Sequence, residues 1–209
     1  MDILQYENKI NDIISMSPIE SGVQILVYML LDDIVENKGY SLLVIDKLQQ
    51  KCRFNTITGI SDLAIVTKDF KYHDSEKGKC LGCVEIKRID VSMRDVPSQV
   101  VGQFCTYGKL IYTNGLVWKF FDYSSADCAD LEFIINKINA LIKRKKTIGT
   151  KSKRKKINEL ILKNESELQG LVRFEWEIDL KDSSSTKEKV SISKEKYNDL
   201  LIKLEKITW

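Results

Sequence analysis

The pattern of apolar and polar residues predicts two helices at the start of the chain. Apolar residues recur at helical spacing in "ILQYENKINDII" and again in "SPIESGVQILVYMLLDDIVENKG". The second helix is expected to begin with Ser17 as its N-cap and Pro18 as its first residue, and to end at Gly39. It is apolar almost all round, which predicts that it is buried.

Short runs rich in Val, Ile and Leu predict three strands after these helices: "YSLLVIDKL", "GISDLAIVT" and "LGCVEIKRI". The polar stretch 67–80 is expected to connect the second and third as a hairpin. "DVPSQVVGQFCTYGKL" predicts a helix from about Asp95, and "LIYTNGLVWKFFDY" predicts two strands around an Asn-Gly turn. Through residue 123 the expected order is helix, strand, strand, strand, helix, strand, strand.

The remaining chain is expected to add helices and a hairpin. "SSADCADLEFIINKINALIKRKK" has the periodicity of an amphipathic helix, and "KINELILKNESEL" continues in helical spacing. "LVRFEWEIDL" and "EKVSIS" predict strands on either side of the polar turn "KDSSSTK", and "SKEKYNDLLIKLEKI" predicts a last helix. The chain thus divides into an α/β core, residues 1–125, and a helical and β-hairpin appendage, residues 126–209.

Composition adds the expectation of a soluble, cytoplasmic protein. Apolar residues make up 43% of the chain and charged residues 30%, and no apolar run reaches the roughly 18 to 20 residues of a membrane span. The N-terminal segment contains acids and does not have the pattern of a signal peptide. Five scattered cysteines favour reduced thiols over a disulfide framework. Cys80 and Cys83 have the spacing of half a zinc site, but no second spaced pair accompanies them.

The net charge of +3 arises from one segment, residues 143–156. This segment holds nine basic residues and no acid, whereas the other 24 basic residues face 30 acidic ones. Two interpretations are open: a contact with the phosphate backbone of nucleic acid, or a solvated helix end and linker. The nine residues are Lys143, Arg144, Lys145, Lys146, Lys151, Lys153, Arg154, Lys155 and Lys156.

Charged residues inside the apolar elements suggest a site for chemistry. Glu85 and Lys87 lie two apart on a strand and therefore share a face, and Asp62 lies in the preceding strand. Such groups are unfavourable in apolar elements unless they are paired or bind a metal. The alternatives are a structural ion pair or a site for Mg²⁺ or Mn²⁺, since both ions prefer oxygen ligands.

The arrangement resembles the PD-(D/E)XK nuclease superfamily. The matching pieces are "SD" at 61–62, "EIK" at 85–87, the upstream helical Glu20 and "QFCTY" at 103–107. Within the superfamily the chain is most similar to the N-terminal nuclease domain of type I restriction-enzyme motor subunits, through "LIYTNGLVWKFFD". The resemblance spans about residues 17 to 123. It implies a restriction-endonuclease-like fold, with a mixed central sheet flanked by helices.

The resemblance also implies roles for individual residues. Asp62, Glu85 and the Ile86 carbonyl would hold the Mg²⁺ or Mn²⁺ ion, and Lys87 would position the attacking water. Glu20 would act on a second ion or through a water of the first, with Asp33 and Glu36 on the same helix as alternatives. Gln103 and Tyr107 would contact the nucleic-acid backbone or orient Lys87. Two departures from the family are Ser61, where many members have proline, and the long connection between Asp62 and Glu85.

The expected function is therefore a metal-dependent endonuclease that hydrolyses phosphodiester bonds, in DNA rather than RNA and most naturally in double-stranded DNA. The chain lacks G-x-x-x-x-G-K-[ST], so it would act without an ATP motor of its own. A homodimer or a larger defence complex is an expected assembly, with a restriction, mobile-element or phage-related role by family analogy. The alternative is a nuclease-fold nucleic-acid-binding or assembly protein of a defence or repair complex that does not cut. A third reading is an RNA- or nucleotide-directed nuclease triggered by a small molecule.

Overall fold

Six strands form one mixed sheet in a computed structural model that describes residues 1–16, 18–48, 53–123, 127–148, 150–186 and 189–209. The strands lie in chain order across the sheet; β3 and β4 are parallel, and all other neighbours are antiparallel. The strands are β1 (Tyr40–Val44), β2 (Leu63–Thr67), β3 (Cys80–Ile86), β4 (Lys109–Thr113), β5 (Val117–Asp122) and β6 (Trp176–Asp179).

Helices cover both faces of this sheet. They are α1 (Ile3–Met16), α2 (Glu20–Asn37), α3 (Ser98–Tyr107), α4 (Ala129–Thr147), α5 (Lys151–Leu171) and α6 (Lys194–Lys206). None of the helices in the described ranges is both long and apolar enough to span a membrane. The predicted α/β fold with a mixed central sheet flanked by helices is therefore confirmed.

Strand alternation divides the core into two layers. Val84 and Ile86 of β3 belong to a buried cluster with α1, α2 and α6, whereas Cys83 belongs to a cluster with α3 and α4. Glu85 has the same parity as Cys83 and therefore points to the α3 side. Since β3 and β4 are parallel, a crossover must join them, and α3 is that crossover.

Two helices begin later than predicted. Ile19 is extended, with φ −94° and ψ 154°, so α2 starts at Glu20 and Pro18 lies outside it. The predicted cap Ser17 is outside the described residues, and Gly39, with φ +79°, follows the actual C-cap Lys38. Helix α3 starts at Ser98 and not near Asp95, because Pro97 disfavours helical backbone at the residue before it.

The predicted Asn-Gly turn between β4 and β5 is present, and Asn114 ties it to a neighbouring loop. Gly115 has φ +83°, but Asn114 does not have a positive φ. Its buried side chain accepts hydrogen bonds from the N–H groups of Leu116 and Val117. Its amide donates to the carbonyls of Ile89 and Val91, at 3.3 and 3.0 Å. The turn therefore holds in place the segment that follows β3.

The C-terminal region joins the same sheet. Strand β6 pairs with β5, so the sheet continues across the expected boundary at residue 125, and α6 packs in the cluster with α1 and α2. The predicted hairpin forms over a short stretch: Ser193 N–H donates to the Leu180 carbonyl and Asp182 N–H to the Ser191 carbonyl, on either side of the antiparallel bridge between Lys181 and Ile192. The alternate N–H groups of the second segment face the other way and bind α1. Val190 N–H donates to Asn11 Oδ1 and Ile192 N–H donates to Glu7 Oε2.

Candidate active site

Antiparallel pairing of β2 and β3 brings Asp62 beside the end of β3. Leu63 pairs with Val84, so the residue before β2 lies next to the last residues of β3. The Asp62 carboxylate accepts a hydrogen bond from the Ile86 N–H at 2.6 Å. The two strands thus place the carboxylates of Asp62 and Glu85 and the Ile86 main chain at one point of the sheet.

Glu85 is the centre of a hydrogen-bonded group. It is only 3% exposed, and its Oε1 accepts from Lys87 Nζ at 2.5 Å and from Gln99 Nε2 at 3.1 Å. Its Oε2 accepts from Gln103 Nε2 at 2.8 Å. Lys87 follows β3, and its N–H donates to the Thr113 carbonyl, which continues the ladder to β4. The predicted shared face of Glu85 and Lys87 is confirmed.

The charges of this group do not balance. Burial, and next the Glu85 charge, raise the pKa of Asp62 from its ordinary 3.8 to about 7. Burial also raises the pKa of Glu85, although Lys87 opposes the change. Burial lowers the pKa of Lys87, but Glu85 outweighs it and the net direction is upward. The buried Glu85 and the half-buried Asp62 therefore share one lysine, and a proton or another cation relieves the excess negative charge.

Glu20 lies within electrostatic range of this group. It is exposed in the first turn of α2, and its charge contributes to the raised pKa of Asp62 and of Glu85. Glu36 lies at the other end of α2, where Lys68 is 3.4 Å away, and Asp33 is exposed on the same half of the helix. Of the three acids considered on this helix, the structure brings Glu20 to the site.

Gln103 and Tyr107 have different environments. Gln103 is fully buried and donates to Glu85, so it orients the acid and not Lys87; its Oε1 has no hydrogen-bond partner among the described residues. The Tyr107 hydroxyl donates to the carbonyl of Phe54 at 2.7 Å. One helical turn carries Tyr107 about 6 Å further along α3, away from Glu85. Tyr107 thus joins α3 to the segment after β1 and lies outside the group around Glu85.

Sequence reasoning missed Gln99. Its amide donates to Glu85, and it lies one turn before Gln103 on the same side of α3. The available signal was the spacing of two glutamines four residues apart. Gly102 permits this placement, because a Cβ there would lie 2.4 Å from the Thr58 side chain. The Thr58 hydroxyl in turn donates to the Gln99 carbonyl at 2.6 Å.

The donor set fits a hard divalent cation that keeps part of its water shell. The described residues contain no ready cluster of three or more Asp, Glu, His or Cys side chains around one point. They do offer two carboxylates, Asp62 and Glu85, whose buried charge a cation would neutralise, with Glu20 close by. Mg²⁺ is commonly bound by one or two carboxylates plus water and phosphate oxygens. Lys87 would have to release Glu85 Oε1 to make room.

The cysteine pair belongs to the core. Burial raises the pKa of Cys80 to about 12 and that of Cys83 well above its ordinary value, which disfavours the thiolates that zinc requires. Cys52 is outside the described residues. His73 packs edge-on against Tyr72, with ring centroids 4.8 Å apart. Cys80 and Cys83 therefore act as small apolar side chains.

In the basic segment 143–156, residues 143–147 are the end of α4 and residues 151–156 are the start of α5; Gly149 lies outside the described residues. Of its nine basic side chains, the structure describes all but that of Lys151; seven of these eight are exposed and Lys145 is half-buried. The two helices pack on each other, so the described part of the segment lies at one end of a helical hairpin.

No protein-family model matches the chain, and no match was found among curated proteins or solved structures. The function is therefore inferred from the site itself.

Proposed function

We propose that this protein is a metal-dependent endonuclease that hydrolyses phosphodiester bonds, in DNA rather than RNA, on a restriction-endonuclease-like core. The observation that supports this most is the pair of carboxyls Asp62 and Glu85 at the joined ends of β2 and β3. They lie beside Lys87, and the pKa of Asp62 is raised to about 7. Perturbed carboxyls with a specific charged neighbour are typical of functional sites.

A structural ion pair explains this arrangement less well. A structural pair needs one acid for each base, whereas here the buried Glu85 and the half-buried Asp62 face one lysine, and Glu20 adds further negative charge. Apolar side chains of similar size generally stabilise a core as well as, or better than, a buried ion pair. The excess negative charge is thus unfavourable for folding, and a role in binding a cation would explain why it is present.

Each residue has a task in the proposed reaction. Asp62, Glu85 and the Ile86 carbonyl would hold Mg²⁺ or Mn²⁺, and the ion would supply stabilisation of the negative charge that develops on the phosphate and the leaving oxygen. Gln99 and Gln103 orient Glu85 through their amide donors.

Lys87 changes partner in this scheme. With Glu85 bound to the cation, Lys87 would lose the carboxylate that holds its pKa above the ordinary value. Lys87 would then position the attacking water and balance charge on the scissile phosphate. The exposed Glu20 would act on a second ion or on a water near the first.

The test is cleavage of supercoiled plasmid, linear duplex, single-stranded DNA and RNA with Mg²⁺, Mn²⁺ or EDTA. Asp62→Asn and Lys87→Met are expected to abolish cleavage that EDTA also abolishes. Asp122→Asn and Lys109→Met are matched controls, because Lys109 and Asp122 form an ion pair of 2.5 Å at the opposite end of β4. Equal activity in all four variants would contradict the assignment. Binding without cleavage in any form would favour a non-cutting binding protein.

A further inference from the structure

Helices α4 and α5 form a peripheral hairpin whose end is not covered by the rest of the protein. The buried residues of α4 all lie in its first half, at Leu131, Ile134, Ile135 and Ile138. The two helices pack mainly on each other, and α4 also packs on α3. Beyond Ile138 the hairpin therefore extends past the core. Residues 143–156 are called the hairpin tip.

The hairpin tip carries unbalanced positive charge. It contains nine Lys or Arg and no acid. Among the described residues, no carboxylate lies within ion-pair distance of its basic side chains. Arg154 donates from Nε to the Ile148 carbonyl at 2.6 Å, which closes the turn between the helices. The described part of the tip thus presents its charge on two helices that pack on each other.

The charge at the start of α5 opposes helix stability. The N-terminus of a helix favours acids, because unpaired N–H groups and the helix dipole make it positive. Here the first turns of α5 contain no acid, and residues 153–156 are all basic. The basic end of α4 is favourable by the same rule. A helix start that is only solvated does not need a run of basic residues. An anionic partner bound there would offset the unfavourable interaction of these residues with the helix dipole.

We propose that the hairpin tip binds the phosphate backbone of double-stranded DNA, as a contact separate from the catalytic centre. Two adjacent helices span about 20 Å. Over that length a duplex presents about 12 phosphate charges and one of its strands about 6. Nine cations lie midway between these two numbers, so the count fits a phosphate backbone. The duplex is chosen because it is the substrate of the proposed function. This proposal rests on the proposed function only in that the bound duplex would be the substrate.

The experiment is fluorescence anisotropy with a labelled 30-base-pair duplex and a 30-nucleotide single strand, titrated with salt in EDTA so that no cleavage occurs. The tip variant changes Lys153, Arg154, Lys155 and Lys156 to Gln. The control variant changes four exposed lysines outside the hairpin to Gln and therefore has the same net charge: Lys9, Lys189, Lys194 and Lys206.

The tip variant is expected to bind the duplex at least about tenfold more weakly at 0.1 M salt, and its slope of log affinity against log salt is expected to be smaller by about 2 to 4. The control slope is expected to change by less than about 1. The melting temperature of the tip variant is expected to equal or exceed that of the wild type, since an unfavourable charge cluster is removed.

Equal effects of the two variants, or none, would overturn the proposal, and so would equal weakening for duplex and single strand. Preferential binding to vesicles of anionic phospholipid, lost in the tip variant while duplex binding remains, would also overturn it. Metal-dependent cleavage is measured apart from this assay. Loss of cleavage in Asp62→Asn with unchanged duplex binding would therefore separate the two proposals.

Discussion

Replacing Asp62 by asparagine is expected to stabilise the folded protein at pH 8 while it removes metal-dependent activity. The perturbation is small in structural terms. Asparagine keeps an oxygen that can accept the Ile86 N–H, the hydrogen bond that Asp62 makes at 2.6 Å. It removes the charge that burial and Glu85 make unfavourable. Stability and function are thus expected to change in opposite directions.

The magnitude follows from the pKa of Asp62. In the unfolded chain the carboxyl ionises near 3.8, and in the folded protein near 7. Between these values the folded state holds a proton that the unfolded state has lost, so stability falls as the pH rises through this window. Above about pH 7 the carboxylate of Asp62 is ionised in both states, and the folded state is destabilised by the full amount. The difference between the two pKa values sets an upper limit of about 4 kcal/mol on this destabilisation, and solvent access to Asp62 lowers the expected value to about 2 to 4 kcal/mol.

Urea unfolding at half-unit steps from pH 4 to 8 measures this effect. The wild type is expected to lose stability toward pH 8, and Asp62→Asn is expected to lose about 2 to 4 kcal/mol less than the wild type across that range. Asp122→Asn is the control for removal of one carboxylate, because Asp122 is 43% exposed and lies at the opposite end of the sheet from Asp62. Parallel pH profiles for the wild type and Asp62→Asn would refute the reasoning, as would a variant that is less stable at pH 8.

Three further predictions concern the same region. Saturating Mg²⁺ at pH 8 is expected to raise the melting temperature of the wild type but not of Asp62→Asn, because a ligand that binds the folded state alone stabilises it; equal shifts would place the ion elsewhere. Gln103→Leu keeps the volume but removes a donor to Glu85, so the Mg²⁺ concentration for half-maximal cleavage is expected to rise by about 10- to 100-fold; an unchanged requirement would contradict this role. Gly102→Ala is expected to destabilise the protein by about 1 to 3 kcal/mol in urea unfolding, since its Cβ would lie 2.4 Å from Thr58, and Thr58→Ala in the same chain is expected to restore part of the loss.

Local patterns predicted the elements of the site correctly. The apolar runs of β2 and β3 predicted strands, and the two-residue period predicted that Glu85 and Lys87 share a face. Element boundaries were less predictable. Helix α3 begins later than predicted because of Pro97, and α2 begins later because Ile19 is extended. The predicted C-terminal hairpin pairs only over a short stretch, and the outward-facing N–H groups of its second segment bind side chains of α1, about 180 positions away.

The composition of the site depended on long-range packing. The sequence left Glu20, Asp33 and Glu36 on α2 as alternatives, and only the direction of the helix relative to β2 and β3 selected Glu20. The sequence also offered the pair Gln103 and Tyr107. In the structure Gln103 donates to Glu85, Tyr107 donates to the Phe54 carbonyl, and Gln99 is a second donor to Glu85.

The sequence by itself determined the order of helices and strands, the α/β class, the shared face of Glu85 and Lys87, and the concentration of positive charge in residues 143–156. These properties follow from backbone sterics, side-chain periodicity and composition, which act over a few residues. Only the tertiary structure decided that Asp62 meets Ile86, that Gln99 supports Glu85, and that the basic segment is the tip of a helical hairpin. These contacts depend on which distant segments pack together, and that choice is made by burial of the whole core.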